Sequence, residues 1–520
     1  MAAAPTTPAA ADVASVPELS GFAKFATVTA VMLAMMLEML DMTVVNVAMP
    51  HMMGSLGATS DQIIWVLTSY MVSSAVVMPL TGYLSGKLGR RRLLLGAITG
   101  FMIASAACGA AQTLSELVVF RLIQGACGAT LAPLSQAVMM TIFSRKNRGS
   151  AMGIWGLGMM VVPVLGPTLG GFLTDALNWR WVFYVNVPLG TIALLLSSVY
   201  VPDVPAKPTR TDFVGLVLLI IAIGSLQLTL DLGNSHDWFS SSLIQALAAS
   251  AALAGVSFVY HCWDRPGAIV NLSVYKDVNF TSSSVLVVSF AIGMFGIMTL
   301  LPLMLGSIMH YPAEVVGEVM APRGLTMGVF MMVIGRYVGR FDPRGMMFVG
   351  ALILAGGTFV YALFPAEISP GWIAIPGILQ GIGMSLFFIP SAMLAYETLP
   401  RHQMEGATGL YALTRTIGAS TGIAVIGLML ARRSEYHWQV LGQRVTAHSP
   451  TVQTWLSARG LTIDDPAAGA SLVGAVMRQA QLLAFGDMFV FVTLIVILLA
   501  PLVIFLRRTK RIETPTAPAE

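Results

Sequence analysis

Charge is what this sequence has least of. Only 10% of its 520 residues are Asp, Glu, Lys or Arg, while 56% are hydrophobic; an average soluble domain carries roughly 25% charged residues. A mean hydropathy of +0.78 completes the picture of a chain that lives in lipid and excludes an ordinary soluble domain. Cysteine is scarce too. Cys108, Cys127 and Cys262 stand singly, with neither a CxxC pair nor metal-ligand spacing. That excludes a disulfide framework and a zinc site and leaves small apolar packing residues. The seven histidines are dispersed, mostly near membrane edges or in loops, and no nucleophile stands with a base, so no enzyme site is indicated. The one Gly-Lys pair, Gly86-Lys87, is followed by Leu88. A Walker A loop, and with it the ATPase of a primary pump, is therefore missing. A net charge of +4 raises the question of nucleic acid, but no such motif accompanies it, and the cations have a topological role instead.

What the chain has in abundance is long apolar runs. A helix needs about 20 apolar residues to cross a hydrocarbon core of roughly 30 Å, and runs of this kind number fourteen. They cover approximately 25–47, 63–83, 93–111, 115–139, 150–173, 182–201, 213–231, 243–261, 280–305, 314–334, 346–364, 371–395, 407–430 and 487–506. The expected fold class is an all-α integral membrane protein with fourteen transmembrane helices. Residues 1–24, rich in Ala, Pro and Thr and without an apolar run, are expected to form a disordered cytoplasmic tail rather than a signal peptide; residues 507–520 form a second tail. An even helix count puts both termini on one side, and the positive-inside rule tests the count. Most of the 29 Lys and Arg fall in the loops this count assigns to the cytoplasm, including Lys87 to Arg92, Arg145 to Arg148, Arg336 to Arg344 and Arg507 to Arg511. The short outer loops contain only Arg180.

The sequence also repeats itself. Gly82-Tyr-Leu-Ser-Gly86-Lys87 recurs as Gly335-Arg-Tyr-Val-Gly339-Arg340, Gln124-Gly125 before Pro133 recurs as Gln380-Gly381 before Pro390, and the helix ending at Gly166 has a partner around Gly422. Three matches in one order, at nearly one offset, argue for a parallel duplication of the kind from which secondary transporters are built. The expected organisation is 6+2+6: a six-helix bundle at 25–201, a two-helix insert at 202–262, and a second bundle at 263–506 that carries a long outer loop, 431–486.

Ionisable residues inside apolar runs are the first candidates for function. A charge near the bilayer centre costs about 2.5 to 3.5 kcal/mol on insertion scales, so those that remain usually face a partner or a water-filled path. Glu38 and Asp41 stand three apart in the first run and share a helical face. Two carboxylates that close disfavour joint ionisation, so one can take up and release a proton. Arg121 in the fourth run is a fixed cation able to pair with Asp41 when it is ionised. The bland alternative is a static buried ion pair. Arg323 and Arg415 lie in apparent helices of the second bundle; for Arg415 two readings stand, lining the cavity or pairing with Glu405. Asp487, at the expected outer start of the last helix, reads as a helix N-terminal charge.

These residues belong to a recognisable pattern. Leu40-Asp41-Met-Thr43-Val-Val-Asn46-Val-Ala48-Met-Pro50 resembles the helix 1 signature of the fourteen-helix drug/proton antiporter branch of the major facilitator superfamily, the EmrB/QacA type. Gly82 to Arg92, Phe120-Arg121-Leu-Ile-Gln124-Gly125, Gly166-Pro167-Thr-Leu-Gly170-Gly171 and Trp179 to Gly190 resemble it further, as do Asp212-Phe-Val-Gly215, Ala321-Pro322-Arg323-Gly324 and Leu413-Thr-Arg415-Thr-Ile-Gly418. The family often places Asp where this chain has Gly86.

The resemblance implies proton coupling at Asp41, Glu38 and Arg121. It implies conformational motifs at Gly82, Gly86, Arg90, Gly335, Gly339 and Arg340, and at Gly166, Pro167, Gly170 and Gly171 in the fifth helix, where Gly-Pro pairs permit bending. A central cavity is expected around Gln124, Trp155, Gln380, Phe387, Phe388, Tyr411 and Arg415, with 33 Met residues suited to a pliable pocket. The implied function is proton-coupled export of hydrophobic or amphipathic toxic compounds from the bacterial inner membrane. The alternatives are an exporter of an endogenous metabolite and a uniporter or channel-like porter. The implied partners are the lipid bilayer and, through loop 431–486, an EmrA-like periplasmic adaptor and a TolC-type outer-membrane channel; an inert insertion is the other reading of that loop. No cofactor is implied.

Overall fold

The computed structural model describes residues 21–506 apart from 145–146, 205, 207–210, 266, 401–402, 447–448 and 463. Of the expected tails, residues 21–24 are already helical, and the remainder lies outside the described residues. Among the described residues, fourteen helices are long and apolar enough to span a membrane. They are α1 (Gly21–Leu56), α2 (Asp61–Leu88), α3 (Arg90–Ala110), α4 (Leu114–Ile142), α5 (Arg148–Ala176), α6 (Trp181–Tyr200), α7 (Phe213–Leu232), α8 (Ser242–Cys262), α9 (Val278–Ser307), α10 (Val315–Tyr337), α11 (Pro343–Ala362), α12 (Pro370–Glu397), α13 (Met404–Gly442) and α14 (Ala467–Phe505). Each contains one of the expected runs or most of it. No strand occurs among the described residues, as a bilayer demands, because only a helix satisfies all its backbone groups within one segment.

The expected loop 431–486 is the main correction. Helix α13 runs on to Gly442, and the last helix begins at Pro466, so most of the segment prolongs two membrane helices. No Gly or Pro interrupts 428–441, and Pro466 stands at N1, where its missing N–H costs nothing. Between them a short helix, Pro450–Ser457, buries Val452 and Leu456 against Ala468. Asp487 is accordingly no helix N-terminal charge. It lies well inside α14, accepts a hydrogen bond from Arg433 Nε at 2.6 Å and sits 2.7 Å from His437 Nε2, which clamps the two prolonged helices together.

The helices form two six-helix bundles, α1–α6 and α9–α14, with α7 and α8 between them in sequence. The end carrying the 87–92 and 336–344 loops is the basic end; the other is the far end. Where the bundles meet, α5 packs along α10, and α2 touches α13 chiefly through residues 78–88, near the basic end. Two contacts there explain the repeated glycines. A Cβ on Gly82 would stand 2.5 Å from the Gly406 Cα, and a Cβ on Gly335 would stand 2.5 Å from the Gly149 carbonyl oxygen and 2.9 Å from the Gly153 Cα. Backbone meets backbone at both places, so only glycine fits.

The insert is fastened at its basic end by Asp212, the N-cap of α7. Its carboxylate accepts hydrogen bonds from the Gly215 and Ile269 amides and contacts His261 Nε2 at 2.9 Å. Burial opposes its ionisation, but these donors outweigh burial and hold the carboxyl below its ordinary value. A lowered carboxyl contributes stability above its unfolded value and loses it as pH falls through the lowered one, so acid loosens this fastening.

Candidate transport site

Two polar clusters grow from the one face of α1 that carries Glu38 and Asp41. Both side chains are buried, 2% and 0% exposed, and they act on each other electrostatically, but each takes its hydrogen bonds from a different set of partners. Asp41 turns into its own bundle. It pairs with Arg121 of α4 and accepts from Gln124 Nε2 at 2.8 Å and from Asn186 Nδ2 of α6 at 3.2 Å. Arg121 donates through Nε to the Val66 carbonyl of α2 at 3.0 Å and through Nη1 to Gln124 Oε1 at 2.9 Å, with its guanidinium 4.2 Å from the Tyr70 ring. Asn186 also donates to Ser105 of α3 at 3.0 Å. One acid and one cation thus tie five helices together, and every group that could bear charge is kept from lipid.

Glu38 turns the other way, toward the seam between bundles. Its Oε2 accepts from the Ala132 amide at 3.1 Å. That amide is free because α4 breaks: a first segment ends at Gly128, a second starts at Leu131, and Pro133 cannot donate to the ladder. The second segment therefore presents a helix N-terminus, with unbonded N–H groups and a positive dipole end, and a carboxylate is its natural partner. Glu38 also interacts electrostatically with Arg415 on α13 of the opposite bundle. Arg415 is buried, with Nη1 3.5 Å from Met159 Sδ of α5. Neither expected placement is seen: Arg415 lies in the closed seam, with no open cavity around it among the described residues, and Glu405 accepts from Arg90.

Aromatic side chains fill the seam beside this pair. Trp155 of α5 stacks on Phe388 of α12 at 6.3 Å and donates to Ser135 at 3.0 Å. Phe290 stacks on Phe387 at 5.0 Å, Tyr411 lies 3.1 Å from Ser391 Oγ, and Tyr396 donates across the seam to Gln136 at 3.3 Å. Trp155, Phe387, Phe388, Tyr411 and Arg415 thus all lie in the packed seam, without open space between them.

The two glutamines do not join them. Gln124 belongs to the Asp41 cluster, and Gln380 lies within the second bundle, donating to Thr358 at 3.1 Å. Arg323 is buried near it, its Cβ against Gly377 and its carbonyl oxygen against Gly381. Asn186, Tyr70, Ser105 and the Ala132 amide were not singled out from sequence; a lone Asn between Val185 and Val187 was the available signal.

The motif residues divide likewise. Arg90 donates through Nε to Glu405 of α13 at 2.7 Å and through Nη1 to Thr141 at 3.1 Å, joining the bundles at the basic end beside Gly82 and Gly406. A Cβ on Gly86, Gly339 or Gly171 would meet nothing within 4 Å, whereas Gly166 packs on Thr43 and Gly170 on Val44 of α1. Pro163 and Pro167 lie within the unbroken α5. Arg340 rests on Tyr337, 5.1 Å from the ring. Glu405→Gln is expected to leave Arg90 facing a weaker acceptor and to open the basic end more often. Alkylation of a cysteine placed at Gly406, where a side chain meets nothing, should quicken about tenfold; an unchanged rate would show that the pair does not hold this end shut.

Two helical bundles meeting at a seam, with buried ionisable groups on both sides of it, define a secondary-transporter architecture. Residues 31–423 match the family model of the Major Facilitator Superfamily. The fatty acid resistance protein FarB of Neisseria gonorrhoeae is 32% identical over 467 residues, 89% of this chain and 92% of that protein. The multidrug export protein EmrB of Escherichia coli strain K12 is 32% identical over 452 residues, 86% and 88% of the two chains. Among solved structures, the human organic anion transporter MFSD10 superposes with a TM-score of 0.61 at 15% identity, covering 92% of this chain and all of that one. The chain belongs to the Major Facilitator Superfamily, and its likeness within it is to EmrB-type multidrug efflux permeases. It is a multi-pass membrane transporter and not an enzyme.

Proposed function

We propose that this protein exports hydrophobic or amphipathic toxic compounds across the bacterial inner membrane in exchange for protons, with the basic end and both termini in the cytoplasm. The observation that carries this reading is the division of labour on α1. Asp41 is held by a cation inside one bundle, and Glu38 faces a cation of the other bundle across the seam. Protonating Asp41 releases Arg121 within its bundle; protonating Glu38 weakens a tie between bundles. Charge taken up from one side is thereby linked to which end of the seam is closed, as exchange by alternating access requires. The bundles correspond to residues 25–201 and 263–506, with 202–262 as an insert. The aromatic seam from Trp155 to Tyr411 accepts the substrate once the bundles part, its Met-rich lining suiting varied shapes. The relatives named for multidrug export and fatty acid resistance support this substrate range. The prolonged far-end helices of α13 and α14 offer a surface for a periplasmic adaptor that passes cargo to an outer-membrane channel.

Glu38→Gln tests the seam half of this reading. In inverted vesicles loaded with a fluorescent hydrophobic cation, the variant should keep substrate exchange and lose gradient-driven uptake by a factor of about 10 to 100. Gradient-driven uptake at the wild-type rate would remove Glu38 from the coupling mechanism.

A further inference from the structure

Helices α7 and α8 have no part in the site described, yet α7 occupies a particular place. Helices α2 and α13 touch near the basic end and separate above it, and α7 lies in the widening gap. On one side it packs along the far half of α2, with Gly224 against Val72 and Val76. On the other it is tied to α13 by polar bonds. Gln227 Nε2 donates to Ser420 Oγ at 2.9 Å, and Asn234 Nδ2, just past its end, donates to the Ala424 carbonyl at 3.3 Å.

Within this wedge sits a carboxylate. Asp231 lies in the last turn of α7, whose apolar window has the high mean hydropathy of 2.4. Its Oδ1 accepts from Gln227 Nε2 at 2.9 Å, the same nitrogen that bonds Ser420, and Thr68 of α2 sits beside it. Its Oδ2 is buried without a hydrogen-bond partner among the described residues. The titratable and charged residues on the elements packed around it are Asp61, Tyr70, Tyr83 and Lys87 on α2, Glu405, Tyr411, Arg415, Arg432, Arg433, Glu435, Tyr436 and His437 on α13, Tyr260, His261 and Cys262 on α8, and His236 and Asp237 in the following turn. No ion pair joins it to any of them among the described residues; its near polar partners are Gln227 and Thr68. It differs in this from Glu38, Asp41 and Asp487, each of which faces a cation.

We propose that Asp231 is a second proton-binding site of the transport cycle, placed where α7 bridges the far-end gap between α2 and α13. A lone carboxylate among apolar helices is costly when ionised, and binding a proton removes that cost and supplies an O–H donor for the lone oxygen. The shared amide of Gln227 connects this event to the seam. An ionised Asp231 draws the amide more strongly than a neutral one, and the second N–H of the same amide holds Ser420 of the opposite bundle. When the bundles rock to open the basic end, α2 and α13 must converge at the far end, on α7 itself. The surroundings of Asp231 then differ between the two states, and so does its hold on a proton, which is the condition for coupling. The proposal rests on the proton-exchange reading above and adds a site to it.

The test counts protons. Full-length protein in lipid nanodiscs is shifted from alkaline to acidic buffer, and uptake is read with an indicator dye for the wild type, Asp231→Asn, Asp231→Glu and Asp41→Asn. Asp231→Asn should take up about one proton fewer per molecule, and Asp231→Glu should restore the count. Asp231→Ser, also non-ionisable, serves the same count should the Asn variant not insert. In vesicles, Asp231→Asn should keep tetraphenylphosphonium counterflow while its net efflux loses dependence on far-side pH, a change that a merely structural contact would not produce. A full proton count in Asp231→Asn, with wild-type efflux following the gradient, overturns this site alone. Wild-type efflux that ignores the gradient overturns the proton-exchange reading and this proposal together.

Discussion

Asp41→Asn is expected to abolish gradient-driven efflux and to yield a protein that still inserts but is less stable by several kcal/mol. The substitution keeps volume and one acceptor for Gln124 or Asn186, but it leaves the Arg121 guanidinium buried without its counter-ion. Removing one partner of a buried pair typically costs about 3 to 5 kcal/mol, because the other charge stays behind. Arginine cannot escape by losing its proton. It does keep the Val66 carbonyl, Gln124 Oε1 and the Tyr70 ring, which is why insertion should survive. Arg121→Gln should destabilise less, since the stranded acid can neutralise itself by binding a proton. The double variant Asp41→Asn with Arg121→Gln separates structure from coupling: thermal stability in detergent should recover in part, and proton-driven efflux should not recover at all. Wild-type efflux in the double variant would reduce the cluster to a static ion pair.

Gly82→Leu and Gly335→Leu are the second large effect, each expected to slow transport by roughly 5- to 150-fold. At both positions the new Cβ would meet opposing backbone at 2.5 Å, and backbone cannot rotate away as a side chain can. The closed basic end becomes costly while the open one is unaffected, so the equilibrium shifts and the cycle stalls. The control lies in the same motifs. Gly86→Leu and Gly339→Leu put a side chain into open space and should change the rate less than about twofold. Rates of substrate counterflow, with alkylation at Gly406 reporting the state of the basic end, decide the matter. Equal losses at all four glycines would mean that the motif acts through something other than this contact.

These glycine pairs show where sequence reading stopped. Gly82 and Gly86 look alike in the repeat, and nothing local says that Gly82 opposes Gly406 while Gly86 faces open space. The same holds for the ionisable residues. Spacing put Glu38 and Asp41 on one face of α1, which is correct, but their separation into two clusters depends on Arg121 and Asn186 closing round one and on the break at Pro133 presenting an amide to the other. Arg415 was left between a cavity and Glu405; Arg90, far away in sequence, took Glu405, and Arg415 came to rest in a closed seam. Gln124 and Gln380, matched by the repeat and expected in the cavity, turned inward because each has a bonding partner within its own bundle.

The sequence alone determined fourteen membrane helices, the duplicated bundles, the likeness to a transporter family and the short roster of buried ionisable residues. The helices and the roster follow from one local quantity, the free energy of placing a stretch of side chains in lipid, which is additive along the chain; the duplication and the likeness follow from motifs that recur in order along it. Tertiary structure alone decided which charge faces which, that α13 and α14 extend into the expected loop through the Arg433–His437–Asp487 clamp, and that α7 carries Asp231 into the gap between bundles. Those outcomes depend on pairings between residues dozens to hundreds of positions apart, whose energies exist only once the helices are packed.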